Sequence, residues 1–227
     1  MVSSVPFLGL GLSGGSASAG SNPILGFLPE GYWKYNTGIT VTGAGVSQWN
    51  DQSGNARHLL QATDAARPPL QGDGSVLFDG AAQFLRAAYT RAQPRTTLLL
   101  IKQISWTTGD RIFDGVTGSQ RVQQAGTTPA ILQAAPSTTN SNAALVLGSY
   151  GRLASCFNGV SSYLRVNATN SSGGDAGANS TDGITIGANA VASPANFSNI
   201  QVKEIADYAA ALTQAQVDAI FAYWATL

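Results

Sequence analysis

From residue 31 onward, short apolar or alternating runs are broken by turn residues at close intervals. The runs include GYWKYN, GVSQWN, RHLLQA, SVLFDG, TTLLLIKQISW, ALVLGSY, RLASCF, SYLRVN and GITIGA. Between them lie Ser53-Gly54-Asn55, Gly72-Asp73-Gly74, Thr108-Gly109-Asp110, Asn158-Gly159 and Ser172-Gly173-Gly174-Asp175. Punctuation this dense predicts short antiparallel strands packed as a sandwich, whereas strands alternating with long helices would read quite differently. One helix is predicted, at the carboxyl end. Thr213 is a good N-cap, and Gln216 completes a capping box. Val217, Ile220, Phe221 and Trp224 follow at i, i+3, i+4 and i+7, a single apolar stripe. So short a helix must lie against the sandwich to be stable.

The segment before residue 31 has a different pattern. FLGLGLSGGSASAG, residues 7 to 20, fits G-x-G-x-x-G through Gly9, Gly11 and Gly14, and G-x-S-x-G through Gly11, Ser13 and Gly15. A dinucleotide cradle and a nucleophile elbow both need a strand before the motif and a helix after it. Ser-Ala-Ser-Ala-Gly-Ser-Asn-Pro follows instead, which cannot start a stable helix. Ala17-Ser18-Ala19 resembles a secretory cleavage site, but no positive residue stands near Met1 and the first charge is Glu30. Immobilising this leader costs more conformational entropy than its apolar side chains recover on one small domain. Residues 1–30 are therefore expected to be an anchoring arm that docks on neighbouring subunits through Phe7, Leu8, Leu10, Leu12, Ile24, Leu25 and Phe27. An arm lying along its own domain is the alternative. Residues 31–227 form the sandwich with its closing helix.

Composition narrows the partners. Hydrophobic residues make up 44% of the chain, enough for a real core, but charged residues only 11%, against about 25% in ordinary domains. Ser, Thr, Asn, Gln and Gly must cover much of the surface. Twelve basic and twelve acidic residues cancel, so no general field attracts nucleic acid or anionic lipid, and neither is expected as a partner. No apolar run approaches the ~20 residues of a membrane-spanning helix. Cys156 is the one cysteine, which excludes an intrachain disulfide and a cysteine-based metal cluster.

A resemblance then becomes specific. VSQWNDQSGNARHLLQAT, followed by RPPL and VLFDGAAQFL, is similar to the opening of concanavalin A-like, laminin-G-like domains. VKEIADYAAALTQAQVDAIFAYW resembles the family's last strand and closing helix, and SYLRVN and ITIGAN its late strands. The similarity covers roughly residues 32 to 225, with the ends more telling than the middle. It implies an all-β, antiparallel two-sheet jelly-roll sandwich with an extended N-terminal arm. It also implies the setting in which such modules are often found, bacteriophage structural proteins and bacterial surface proteins.

Read from the residues, the motif positions are mostly structural. Trp49 is expected to bury its ring, and Asp51, Ser53 and Asn55 to hold a tight turn by side-chain-to-backbone hydrogen bonds. Asp51 and Asn55 are also the candidate ligands of a calcium ion, but one carboxylate under-supplies a sphere of six to eight oxygens. No cofactor is otherwise expected. His58 reads as a packed or surface residue. Retaining glycosidases need two carboxyls about 5 Å apart, yet the chain has only Glu30 and Glu204 as glutamates and no acids at i and i+2. An enzyme is therefore not expected.

A binding module is. Sugar recognition stacks an aromatic ring on the pyranose and surrounds it with planar polar groups. The loop candidates are Trp106 with Asp110 and Arg111, and Tyr150 with Arg152 and Asn158, although each also reads as packing or a solvated turn. The resulting expectation is a non-enzymatic virion component, a homo-oligomer with a trimer favoured. It would sit on a phage tail, baseplate or fibre, dock on other virion proteins through its arm and bind host-surface glycans. A capsid decoration or cement subunit without a ligand is the alternative, and a glycoside hydrolase or bacterial adhesin stands behind both.

Overall fold

A computed structural model describes residues 22–126, 128–142, 145–170 and 173–227. In chain order its strands are β1 (Gly31–Trp33), β2 (Ile39–Thr42), β3 (Gly45–Trp49), β4 (Leu59–Leu60), β5 (Val76–Asp79), β6 (Leu85–Arg91), β7 (Arg95–Gln103) and β8 (Arg111–Asp114). They continue with β9 (Arg121–Gln124), β10 (Ile131–Ala134), β11 (Thr138–Asn142), β12 (Tyr150–Phe157), β13 (Tyr163–Val166), β14 (Thr169–Asn170), β15 (Thr181–Ile186) and β16 (Asn199–Tyr208). One helix, α1 (Gln214–Trp224), closes the described chain.

The strands form two antiparallel sheets. The back sheet has seven strands in the order β1-β16-β7-β12-β13-β14, with β5 also paired to β16. The front sheet has nine, in the order β11-β10-β9-β8-β15-β6-β4-β3-β2. A sandwich with one C-terminal helix is thus what the turn-punctuated pattern predicted. ALVLGSY departs from it: the strand begins only at Tyr150, after a turn that leaves Val146 exposed.

Two cores explain the patterning. Between the sheets lie Trp33, Trp49, Phe78, Phe113, Phe157 and their aliphatic neighbours, all fully buried. Each such side chain contributes about 1.5–3 kcal/mol by leaving water. On the other side of the back sheet, Val217, Ile220, Phe221 and Trp224 of α1 pack on Leu98, Leu100, Ala154, Ala206 and Tyr208. β7 is therefore covered on both faces, which is why its sequence reads as a continuous apolar run rather than an alternation.

The helix is fixed at both ends. Thr213 Oγ1 accepts the Gln216 N–H at 3.3 Å, and Gln216 Oε1 accepts the Thr213 N–H at 2.9 Å. Near the other end, Trp224 Nε1 donates to Glu204 Oε2 at 2.6 Å, and Tyr32 Oη donates to the same oxygen at 3.2 Å. Burial raises the Glu204 carboxyl above its ordinary value, against the pull of these two donors. Thr213→Ala is expected to lower stability by about 1 kcal/mol, read as a fall in urea midpoint at unchanged slope.

The arm enters this second core. Ile24 is fully buried against it and its carbonyl accepts the Tyr208 hydroxyl at 3.1 Å. Phe27 packs partly on the same cluster, while Leu25 and Leu28 face outward. Ile24 and Phe27, read from sequence as anchors to other subunits, are therefore placed on their own domain. Phe7, Leu8, Leu10 and Leu12 lie outside the described residues.

Candidate functional site

Because α1 covers the back sheet, the outer face of the front sheet is the broad face that no α-helix covers among the described residues; a short 3-10 turn, Asp64–Ala66, borders it where the Ala66 carbonyl accepts the Phe84 N–H at 3.3 Å. In β6, Leu85, Ala87 and Tyr89 point into the core, so Arg86, Ala88 and Thr90 project outward. Register pairs carry that outward row across the sheet, from Gln48 to Leu60, Leu60 to Arg86, Arg86 to Thr185, and Thr185 to Asp114. Beyond β8, Val122 is turned inward and Arg121 and Gln123 outward.

The loop at residues 187–198 rims this row. Gly187 has φ +84°, and a Cβ there would stand 2.6 Å from the Phe78 ring, so glycine lets the chain leave β15 sharply over the sheet. Arg86 holds the loop: its Nε donates to Thr185 Oγ1 at 3.0 Å, and its Nη2 to the carbonyls of Asn189 and Val191 at 3.2 and 2.7 Å. Asp114 holds it too, accepting the Ala190 N–H at 3.3 Å and the Gly115 N–H at 2.9 Å. At the end of the loop Phe197 bridges to Arg111 and contacts Phe84, with ring centroids 6.5 Å apart. The Arg86 guanidinium lies 4.9 Å over the Phe84 ring. Both phenylalanines are half-buried.

Arg111 is the centre of the polar part. Its Nη1 donates to the Gly109 carbonyl at 2.6 Å and to Gln123 Oε1, an oxygen that also accepts Arg121 Nε at 2.8 Å. Its Nε is buried without a hydrogen-bond partner, the Asp114 carboxylate being 3.7 Å away. Burial, and then the Arg121 charge, push the Arg111 guanidinium below its usual value. Burial likewise raises Asp114 and Asp110 above the usual carboxylate range, with hydrogen bonds and Arg111 opposing it. Three guanidiniums, an amide and two phenylalanines thus line one open face. Planar donors in fixed forks suit paired hydroxyls or oxyanions, and the rings offer apolar surface beside them.

The six residues proposed from sequence do not meet at one place. Asp110 and Arg111 lie at this face. Trp106 packs partly against the core and donates Nε1 to the Ala125 carbonyl at 3.2 Å. Tyr150 opens β12 and Asn158 directly follows its end, about 25 Å away at ~3.3 Å per residue. Arg152 lies under α1, donating to the Phe221 carbonyl at 2.9 Å beside a cleft of about 240 Å³ that Arg165 and Asp218 also line. Asp51 is committed to its turn: its carboxylate accepts from Tyr32 N, Ser53 N, Ser53 Oγ and Arg57 N at 2.8 to 2.9 Å. Asn55 donates Nδ2 to the Pro29 and Glu30 carbonyls. With its oxygens occupied by donors, Asp51 has no lone pair left to offer calcium.

Arg86, Arg121, Gln123, Phe84 and Phe197 were missed. The alternation in LRAAYTR is the signal that could have found the first, since it sets Arg86 opposite a core-facing Leu85 and Ala87.

No protein-family model and no curated protein sequence matches the chain. Solved structures do. A Trypanosoma rangeli sialidase in complex with sialic acid aligns over 86% of this chain and 33% of its own, at 14% identity and a TM-score of 0.60. Domain 4 of AbnA, a GH43 extracellular arabinanase from Geobacillus stearothermophilus solved with arabinotriose, aligns over 85% of this chain and 98% of its own, at 14% identity and a TM-score of 0.58. A mutant GH54 α-L-arabinofuranosidase aligns over 78% and 51%, at 13% identity and 0.55. The chain spans about a third of the length of the sialidases it matches. At these identities the likeness establishes the fold. It also corrects two expectations: these three structures come from glycoside hydrolases, so the non-enzymatic phage virion component read from sequence, with its tail or capsid setting, has no support.

Proposed function

We propose that this chain is a concanavalin A-like saccharide-binding sandwich whose ligand lies on the outer face of the front sheet, between the turn at 107–111 and the loop at 187–198. The observation that carries it is the half-buried ring pair Phe84 and Phe197, with the Arg86 guanidinium over Phe84 and Arg111 bridged to Phe197 through the backbone, on the face that α1 leaves uncovered. An apolar surface flanked by a few convergent polar groups is the usual form of a small-ligand site. The arabinanase domain supports the reading, because nearly its whole length is this fold and it was solved holding an oligosaccharide. A glycan array followed by calorimetry tests it. Binding of at least one oligosaccharide, lost in Phe197→Ala, is expected; no saccharide bound at millimolar concentration would end the proposal.

A second reading, hydrolysis, is favoured by the sialidase and arabinofuranosidase chains that share this sandwich. If it holds, the wild type releases reducing sugar from the oligosaccharide that the array identifies; binding without release would leave the first reading alone.

A further inference from the structure

The chain contains only the lysines at 34, 102 and 203, and the last two meet at one spot. This spot is the strip of the back sheet beyond the end of α1. Lys102 Nζ lies 4.9 Å and Lys203 Nζ 4.7 Å from the centroid of the Tyr150 ring, and Lys203 Nζ also lies 5.2 Å from that of Tyr35. The rings hold the ammonium groups in place by cation–π attraction. Around them the patch is built. Tyr150 Oη donates to Asp73 Oδ2 at 2.8 Å, and Asp73 Oδ1 accepts the Ser75 hydroxyl at 2.5 Å. The turn presses on Tyr35, since a Cβ on Gly74 would stand 2.5 Å from that ring.

The charge there is unbalanced. Among the described residues no Asp or Glu side chain lies within ion-pair distance of either ammonium, and Lys203 Nζ reaches only an oxygen of Leu227, at 3.4 Å. Asp73, the nearest acid, is engaged by Tyr150 and Ser75 and acts on Lys203 only at longer range. Two held cations beside two half-exposed tyrosines make a site for an anionic group carried on a ring with apolar faces.

We infer that this patch is a second saccharide site, selective for sugars that bear a carboxylate or sulfate. The choice of a sugar as carrier of the anion rests on the saccharide-binding reading. The anion itself rests on the lysines. A nucleic acid or anionic bilayer fits poorly, because the chain's net charge is +0 and a bilayer is captured by clusters of about 4–8 basic residues.

The test is calorimetry with three probes, trigalacturonate, a sulfated trisaccharide and neutral arabinotriose. They are titrated into the full chain, into Lys102→Gln/Lys203→Gln and into Lys102→Arg/Lys203→Arg. Acidic sugars are expected to bind the wild type, more weakly as salt rises. The glutamine pair should lose about tenfold or more of that affinity, as expected for charge-assisted contacts, and the arginine pair should retain it. Equal melting temperatures across the three proteins separate lost contacts from lost folding. Acidic sugars that bind no tighter than neutral ones, an unaffected glutamine pair, or duplex DNA or anionic vesicles captured as tightly would overturn the inference. Neutral binding that survives without acidic binding removes only this patch; failure of every sugar removes the saccharide reading as well.

Discussion

Asp207→Asn is expected to cost about 3–5 kcal/mol of stability, the typical result of breaking a buried ion pair from one side. Asp207 and Arg91 have no exposed side-chain surface, and Arg95 has 1%. Asp207 Oδ1 accepts Arg91 Nη2 at 3.0 Å and Thr97 Oγ1 at 2.7 Å. Its Oδ2 accepts the Tyr89 hydroxyl at 2.7 Å and also Arg95 Nη1. Tyr89 and Arg91 come from the front sheet, Thr97, Arg95 and Asp207 from the back, so the carboxylate ties the two layers together. Neutralising it leaves the two guanidiniums with Glu30 alone, which binds Arg95 at 2.5 Å nearer the surface. Burial by itself would raise the Asp207 carboxyl, but Arg91 and Arg95 outweigh it and hold the group far below the usual carboxylate range. The sign follows. A depressed folded value contributes stability that is fully present above the unfolded value near ~3.9 and is lost as pH falls through the lower, folded one. Urea unfolding should therefore show the wild type losing stability below about pH 4, with a flatter profile in Asp207→Asn. Equal stability of the two proteins at pH 7 would contradict this.

Arg111→Ala is expected to weaken saccharide binding by about 10- to 100-fold, the loss of one or two charge-assisted hydrogen bonds at ~1.5–3 kcal/mol. Its effect on stability should be small by comparison. Arg111 Nη1 meets only a loop carbonyl and a shared amide oxygen, and its Nε makes no hydrogen bond, with the Asp114 carboxylate 3.7 Å away. Truncation also removes the cation beside Asp114, which should raise that carboxyl further, since Arg111 acts to lower it. Arg165→Ala is the matched control: it removes an ion pair to the exposed Asp218 on the far side of the molecule and should leave saccharide affinity unchanged. Calorimetric titration of the three proteins separates the cases, and equal losses in both variants would place the site elsewhere.

The sandwich was legible where strands follow simple hydrophobic rules. β5, β7, β12 and β13 carry apolar runs, and the capping box of α1 announces itself. The strands β9 to β11 were not legible, because they bury polar side chains. Gln124 Nε2 donates to Gln103 Oε1 at 2.8 Å, Gln133 Nε2 to Ser155 Oγ at 2.9 Å, and Asn140 Nδ2 to Gln133 Oε1 at 2.9 Å. Amides paired in this way cost little to bury, but nothing local in RVQQ or TTNSN reveals the pairing. The site was half legible for a related reason. Asp110 and Arg111 stand out beside a glycine turn, whereas Arg86, Arg121 and Phe197 reach the same face from strands far apart in sequence. Only the register brings them together.

The most direct test of the proposed binding face is amide chemical-shift mapping of the isotope-labelled chain, titrated with a neutral oligosaccharide that the array identifies. The largest changes are predicted at Arg86, Arg111, Gln123 and Phe197 and along the loop at 187–198. Changes concentrated on α1 and the back sheet, with this face silent, would contradict it.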